Sequence, residues 1–261
     1  MEREDIDGCR RFDWSDASAD YAKYRDIYPP AFYQYLRAQG IGKRGQRLLD
    51  LGTGTGVLPR SLYPCGAKFV GVDSAEGQIA QARALAERAG MEIDFLCLPA
   101  ERIRFAAGSF DGATACQCLM YFDHAALAPR LARVLKEGGF FAILYMAWLP
   151  EEDEVARQSE ELVLRYNPRW TGGGEVRRPI QVPREYGAQF ELECSDLFDL
   201  QVPFTRESWN GRMKACRGIG ASLSVREAQA FEREHLALLE RIAPPEFTVR
   251  HYAAAAILRK R

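Results

Sequence analysis

No stretch of this 261-residue sequence approaches the ~20 consecutive apolar residues that a membrane-spanning helix needs. The opening MEREDIDGCRRFDWSD mixes charges around no apolar core, so it does not read as a secretory leader, and a cytoplasmic protein without membrane attachment is expected. An excess of either charge is missing too: 35 Lys and Arg stand against 36 Asp and Glu. No global field draws such a chain towards nucleic acid, and no nucleic-acid partner is expected. The seven cysteines, at 9, 65, 97, 116, 118, 194 and 216, form an odd set without finger spacing. Their one close pair, Cys116 and Cys118, lies on an apolar run, so reduced and mostly buried thiols are expected, with no metal and no disulfide. Repeats and low-complexity tracts are absent as well. With 47% hydrophobic and 27% charged residues, the composition is that of a globular chain long enough for one large α/β domain, or for one domain carrying a cap.

One stretch breaks this even texture: LLDLGTGTG at 48–56. Leu48, Leu49 and Leu51 around Asp50 read as a short buried parallel strand, which empties at once into Gly52, Gly54 and Gly56. Glycine has no Cβ, so it takes positive φ and lets a ligand lie on backbone N–H groups, at the positive end of the helix expected from Val57 to Leu62. A second apolar run, KFVGVD at 68–73, ends in an acid 21 positions after Gly52. An acid at the carboxyl end of the neighbouring strand is placed to accept both hydroxyls of a ribose.

These residues resemble the first motifs of the class I S-adenosylmethionine-dependent methyltransferases of small-molecule type. The likeness continues in order through VGVDSAEGQIAQAR at 70–83, LPAERIRFAAGSFDGATACQCLMYF at 98–122 and LARVLKEGGFFAILY at 131–145. It implies an α/β fold: a Rossmann-like, doubly wound, seven-stranded and mostly parallel sheet with an antiparallel last strand, plus a helical and loop cap insert. It also implies S-adenosyl-L-methionine as cofactor, held by Gly52, Thr53, Gly54, Asp73, Ser74, Gln78, Ala100, Glu101 and Gln117. Tyr21 and Arg25 would close over its methionine end, where an arginine can pair with the carboxylate; the plainer reading is an amphipathic helix packing its aromatics on the sheet.

Pro99 stands where relatives carry the acid that accepts from the adenine amine. It supplies neither that acceptor nor an N–H, which leaves the adenine to the Ala100 backbone and Glu101. Gln78, where relatives often place Met, is expected either against the adenine face or as a solvated helix residue. Relatives pass the methyl group near the end of the fourth strand, around Gln117, Cys118 and Tyr121. Tyr121 and His124 are therefore the candidate catalytic residues, with His124 read either as a base or as a helix-capping residue. More narrowly, Tyr24, Arg25, Tyr28 and Pro29 resemble the start of trans-aconitate methyltransferases.

From Gln46 the chain alternates strand and helix with short gaps: strands at 47–51, 68–72, 93–97, 110–116 and 139–146, helices at 57–63, 75–89 and 124–135. Such alternation builds βαβ units, whose ligands sit beyond the carboxyl ends of the strands where the strand order reverses. Lys136 to Phe140, KEGGF, reads as a helix ending on glycine. A charged helix is expected at 151–166, and then NPRWTGGGEVRRPIQVPR at 167–184 breaks the pattern. Arginines 165, 169, 177, 178 and 184 face one acid in that window, Glu175. Guanidinium forks suit carboxylates, so Arg177 and Arg178 are the candidate acceptor residues, against the plain reading of a solvated loop. A strand at 198–205, helices at 207–223 and 225–242, and a strand at 247–258 close the chain. Four segments follow: 1–45 covering the cofactor site, 46–149 as the cofactor-binding core, 150–197 as the cap, and 198–261 completing the sheet.

A sulfonium methyl is already activated, so such an enzyme mainly orients the acceptor and keeps water out, which can be worth ~7–11 kcal/mol. The lack of a catalytic triad is therefore no argument against catalysis. Methyl transfer to a small-molecule acceptor is expected, a carboxylate if the arginine cluster binds it. Two other readings stay open: a cofactor-binding protein without activity that acts through partners, and a nicotinamide dinucleotide-dependent oxidoreductase. The second would prefer G-x-G-x-x-G to the G-x-G-x-G of Gly52, Gly54 and Gly56.

Overall fold

The computed structural model describes Asp7, Trp14, Lys23, Tyr24 and residues 26–261. The chain divides into two compact units: Pro30–Met146 with Arg178–Phe198 and Ala253–Arg261, and Met1–Pro29 with Ala147–Arg177 and Asp199–Tyr252. These units interleave stretches of chain, whereas the four segments expected above follow one another in sequence.

The first unit carries strands β1 (Arg47–Leu51), β2 (Lys68–Asp73), β3 (Asp94–Cys97), β4 (Phe110–Cys116) and most of β5 (Leu135–Trp148). Its helices are α1 (Pro30–Ala38), α2 (Val57–Leu62), α3 (Glu76–Arg88) and α4 (His124–Val134). With β6 (Phe190–Thr205) and β7 (Glu246–Lys260) the sheet has seven strands in the order β3-β2-β1-β4-β5-β7-β6. Pairs β1–β2, β1–β4, β2–β3 and β4–β5 are parallel, and the last strands run antiparallel. Leu48 to Leu51 are all buried, the mark of a parallel strand covered on both faces rather than one alternating in and out. Each of those leucines contributes roughly 1.5–3 kcal/mol by leaving water. Because β2 and β4 flank β1, the strand order reverses there, and the carboxyl ends of β1 and β4 bound the crevice in which ligands of such sheets sit.

The second unit is built on α5 (Glu154–Tyr166), α6 (Arg206–Lys214) and α7 (Val225–Ile242), with α5 and α6 packed on α7. Asp153 caps α5, and reciprocal capping boxes, Thr205 with Ser208 and Ser224 with Glu227, start α6 and α7. At its centre Ser159 Oγ accepts from Trp209 Nε1 at 2.9 Å and meets His235 Nε2 at 2.9 Å. Desolvation holds the buried imidazoles of His235 and His251 neutral, down to about 3.

Three expected elements differ. KEGGF is not a helix end: α4 stops at Val134, Leu135 is already extended and pairs with Phe110, and the following residues take up a register shift, with Gly138 at φ 66. Strand β6 begins at Phe190 rather than 198; as an edge strand whose first half is largely exposed, it carries the polar ELECSD and lacks apolar alternation. Helix α6 ends at Lys214 and gives way to turns before α7. No helix among the described residues is long and apolar enough to cross a membrane.

Candidate active site

Strand β1 runs into a turn in which Gly52, Gly54 and Gly56 all take left-handed backbone, at φ 61, 55 and 72. Space forbids side chains there as well: a Cβ on Gly52 would lie 2.8 Å from Cβ and Sγ of Cys118, and one on Gly56 would lie 2.6 Å from the Phe95 ring. Beneath the turn, Asp50 is 2% exposed. Its carboxylate accepts from Thr53 Oγ1 and from Thr114 Oγ1, each at 2.6 Å, tying the turn to β4. Burial pushes this carboxyl up to about 6, against the pull of the two hydroxyls.

Asp73, the last residue of β2, holds the turn from the other side. Its Oδ2 accepts from the Gly54 N–H at 2.9 Å and its Oδ1 from the Ala75 N–H at 2.9 Å. The Thr53 N–H donates to the Val72 carbonyl, also at 2.9 Å. Burial raises the Asp73 carboxyl, while its backbone donors pull it down. Beyond β4, Gln117 has φ 63, rare for a residue with a Cβ; it is pinned by its N–H to the Leu144 carbonyl and by Nε2 to the Met146 carbonyl. Next to it the Cys118 thiol donates to the Leu51 carbonyl at 3.1 Å, which closes the floor under Gly52.

Pro99 precedes a single 3-10 turn, Ala100–Arg102. Glu101 Oε1 accepts from the Asp123 N–H at 2.8 Å, and Asp123 in turn caps α4 by accepting from the Ala126 N–H at 3.1 Å. His124 Nδ1 lies 3.2 Å from the Tyr186 hydroxyl. Tyr186 is fully buried, and burial keeps its phenol protonated far above the usual range. The Tyr186 hydroxyl thus holds the inner nitrogen of the His124 ring, with the two rings edge to face at 5.6 Å between centroids.

A family model for a methyltransferase domain matches residues 49–143. The chain is 32% identical over 162 residues to a ubiquinone biosynthesis O-methyltransferase of Nitrosococcus oceani, a match covering 60% of this chain and 67% of that protein. It is 30% identical over 212 residues to the protein of the same name in Hahella chejuensis, covering 77% of this chain and 85% of that one. The chain belongs to the class I S-adenosylmethionine-dependent methyltransferases. In fold, this methyltransferase is like a protein of Anaeromyxobacter dehalogenans described as a type II methyltransferase, with TM-score 0.55, 21% identity, and coverage of 90% and 97% of the two chains. Family membership displaces the oxidoreductase reading. The narrower likeness to trans-aconitate methyltransferases expected from residues 24–29 is not shown.

The residues of the methyltransferase fit its cofactor. An ionised carboxylate offers about four lone-pair sites; backbone N–H groups of Gly54, Ala75 and Ser74 bear on that of Asp73, which leaves acceptor capacity towards a ribose. Gly52, Thr53, Gly54, Asp73 and Ser74 lie together at the ends of β1 and β2, and Gln117 at the end of β4. Gln78 is buried on the first turn of α3, so the solvated reading of it fails. Ala100 is buried, while Glu101 is engaged by the Asp123 N–H. Tyr121 closes a short turn after β4. Tyr21 and Arg25 lie outside the described residues; Tyr24 donates to Glu207 at 3.4 Å.

The arginine pair departs from expectation. Arg177 Nε and Nη2 donate to Asp199 at 2.6 and 2.7 Å, while Nη1 and Nη2 donate to Glu152. Four of its five N–H donors are engaged, so it offers an acceptor carboxylate no fork. Arg165 and Arg184 are paired as well, with Glu234 and Glu185. Arg178 is exposed and belongs to the sheet unit, Arg177 to the helical one. Asp50, Thr114 and Tyr186 were missed by sequence reasoning. For Asp50 a signal existed, an acid inside an otherwise apolar strand; for the others, neighbours distant in sequence create the role.

Proposed function

We propose that this methyltransferase moves the methyl group of S-adenosylmethionine to an oxygen of a small-molecule acceptor. The observation that carries the reading is the clasp at the glycine turn, where Asp73 takes the Gly54 and Ala75 N–H groups and keeps acceptor capacity beyond them. In this reading Asp73 receives the ribose hydroxyls, the turn from Gly52 to Gly54 faces the methionine portion, and the Ala100 backbone with buried Gln78 flanks the adenine. The cofactor supplies an activated methyl group; the protein supplies position and exclusion of water.

The oxygen acceptor is supported by the names of the relatives in Nitrosococcus oceani and Hahella chejuensis, both O-methyltransferases of ubiquinone biosynthesis. With Arg177 engaged by Glu152 and Asp199, a hydroxyl acceptor is favoured over a carboxylate. In this reading His124 and Tyr121, which follow β4, line the approach of the acceptor oxygen. Transfer of label from methyl-tritiated S-adenosylmethionine to a panel of phenols, catechols and small carboxylic acids tests the reading. Label on a hydroxyl oxygen supports it; label on carboxylates alone, or on nitrogen, refutes it.

A further inference from the structure

We propose that Asp50, the buried carboxylate under the glycine turn, makes this site favour the cationic cofactor over its neutral product, S-adenosylhomocysteine. The inference rests on the assignment of the cofactor to this turn. S-adenosylmethionine carries one positive charge more than S-adenosylhomocysteine, at the sulfonium, and is otherwise the same molecule. Contacts to ribose, adenine and the amino acid are therefore common to both, and a fixed charge near the sulfur is what tells them apart.

Two carboxylates reach the turn, Asp50 from β1 and Asp73 from β2, and the charge of Asp73 raises the cost of ionising Asp50. On the far side Arg60 of α2 donates through Nε to the Thr55 carbonyl at 3.3 Å, not to either carboxylate. Cys118, from the stretch after β4, adds a thiol that burial keeps protonated. From β4 the facing group is the neutral Thr114 hydroxyl, and from the turn itself the Thr53 hydroxyl. Neither Asp50 nor Asp73 forms an ion pair among the described residues; hydroxyl and backbone N–H donors hold both. Asp50, 2% exposed, keeps its field, because no counter-charge is bonded to it and little water reaches it to screen it. When the methyl group leaves, the sulfur loses its charge and the site loses its attraction for what remains. Product release is thus built into the floor of the site.

The sign of the pH dependence follows. Asp50 titrates near 6, so it is ionised at pH 7.5 and largely neutral at pH 5.0. As pH falls through that range, binding of S-adenosylmethionine weakens relative to S-adenosylhomocysteine. Calorimetric titration of both ligands from pH 5.0 to 8.0 reads the ratio of their dissociation constants. In the wild type the ratio should shift by about tenfold in favour of S-adenosylmethionine between pH 5.0 and 7.5, the effect of one opposite charge within several ångströms. Asp50→Asn should flatten the curve while both ligands still bind. Thr114→Val, which removes one donor from the carboxylate, should move the midpoint upward by about half a unit or more, and it keeps the test open if the asparagine variant does not fold. A flat ratio in the wild type overturns the inference. So does a slope that survives Asp50→Asn or ignores Thr114→Val, since the charge would then be that of Asp73. Failure of both ligands to bind the wild type overturns the cofactor assignment itself and the inference with it.

Discussion

Replacing Asp73 with Ala removes a group at the turn that has a fixed position, unused acceptor capacity and some exposure to solvent. Its oxygens are set by two backbone bonds of 2.9 Å, from Gly54 and Ala75, so two ribose hydroxyls would meet a carboxylate that needs no rearrangement. Hydrogen bonds to a charged acceptor contribute about 1.5–3 kcal/mol each, and because backbone N–H groups already share this partly buried carboxylate, the lower end applies. Two such bonds give about 3 kcal/mol, or roughly 150-fold in dissociation constant. Asp73→Asn should resemble Asp73→Ala more than wild type, because its NH2 must face the N–H of Gly54 or of Ala75, donor against donor. Calorimetric titration with S-adenosylhomocysteine measures the loss, and circular dichroism confirms that the variants fold. A change below threefold in a folded Asp73→Ala protein would refute the placement of the ribose at this acid.

Other consequences can be checked on stability and kinetics. Gly52→Ala places a Cβ at φ 61 and against Cys118, and should cost at least about 2 kcal/mol in urea unfolding. Cys118→Ala should not rescue it, since the Cys118 Cβ is itself 2.8 Å away, whereas Cys118→Gly should; equal rescue by both would show that the clash is not the cause. His251 is held near 3 in the fold by desolvation against about 6.5 when unfolded, so the native state binds fewer protons between those values. Stability from this group is complete above pH 6.5 and is lost as pH falls, by about 2 kcal/mol at pH 5. His251→Phe should reduce the difference in unfolding free energy between pH 7.5 and pH 5 by that amount, and an unchanged difference would contradict it. Arg177→Ala breaks solvent-screened ion pairs, and should leave both S-adenosylhomocysteine affinity and the acceptor KM within twofold of wild type. A tenfold rise in that KM would return Arg177 to the acceptor site.

The sequence by itself determined the cofactor half of this protein. LLDL followed by three alternating glycines fixes a buried strand and a left-handed turn through local rules alone: apolar continuity for a strand covered on both faces, and glycine where a Cβ cannot go. The spacing to Asp73 fixes its position at the end of the next parallel strand, because a βαβ unit leaves few ways to connect the two. Where a residue's role depends on neighbours far along the chain, the sequence was silent or misleading. The arginines of 165–184 look like an unmatched positive cluster because Glu152, Asp199 and Glu234, which answer Arg177 and Arg165, lie outside that window. Edge strand β6 begins in ELECSD, which carries no strand period because much of its first half is bathed in water. His124 reads as a base or as a helix cap, and only the fold brings buried Tyr186, 62 residues on, against its Nδ1. Asp50 shows the division most plainly: its place in the strand is local, but its charge, burial and hold on Thr53 and Thr114 exist only once β4 lies beside β1. Local periodicity and glycine sterics act within a few residues, whereas charge pairing, hydrogen bonding and desolvation are set by whatever the fold brings alongside.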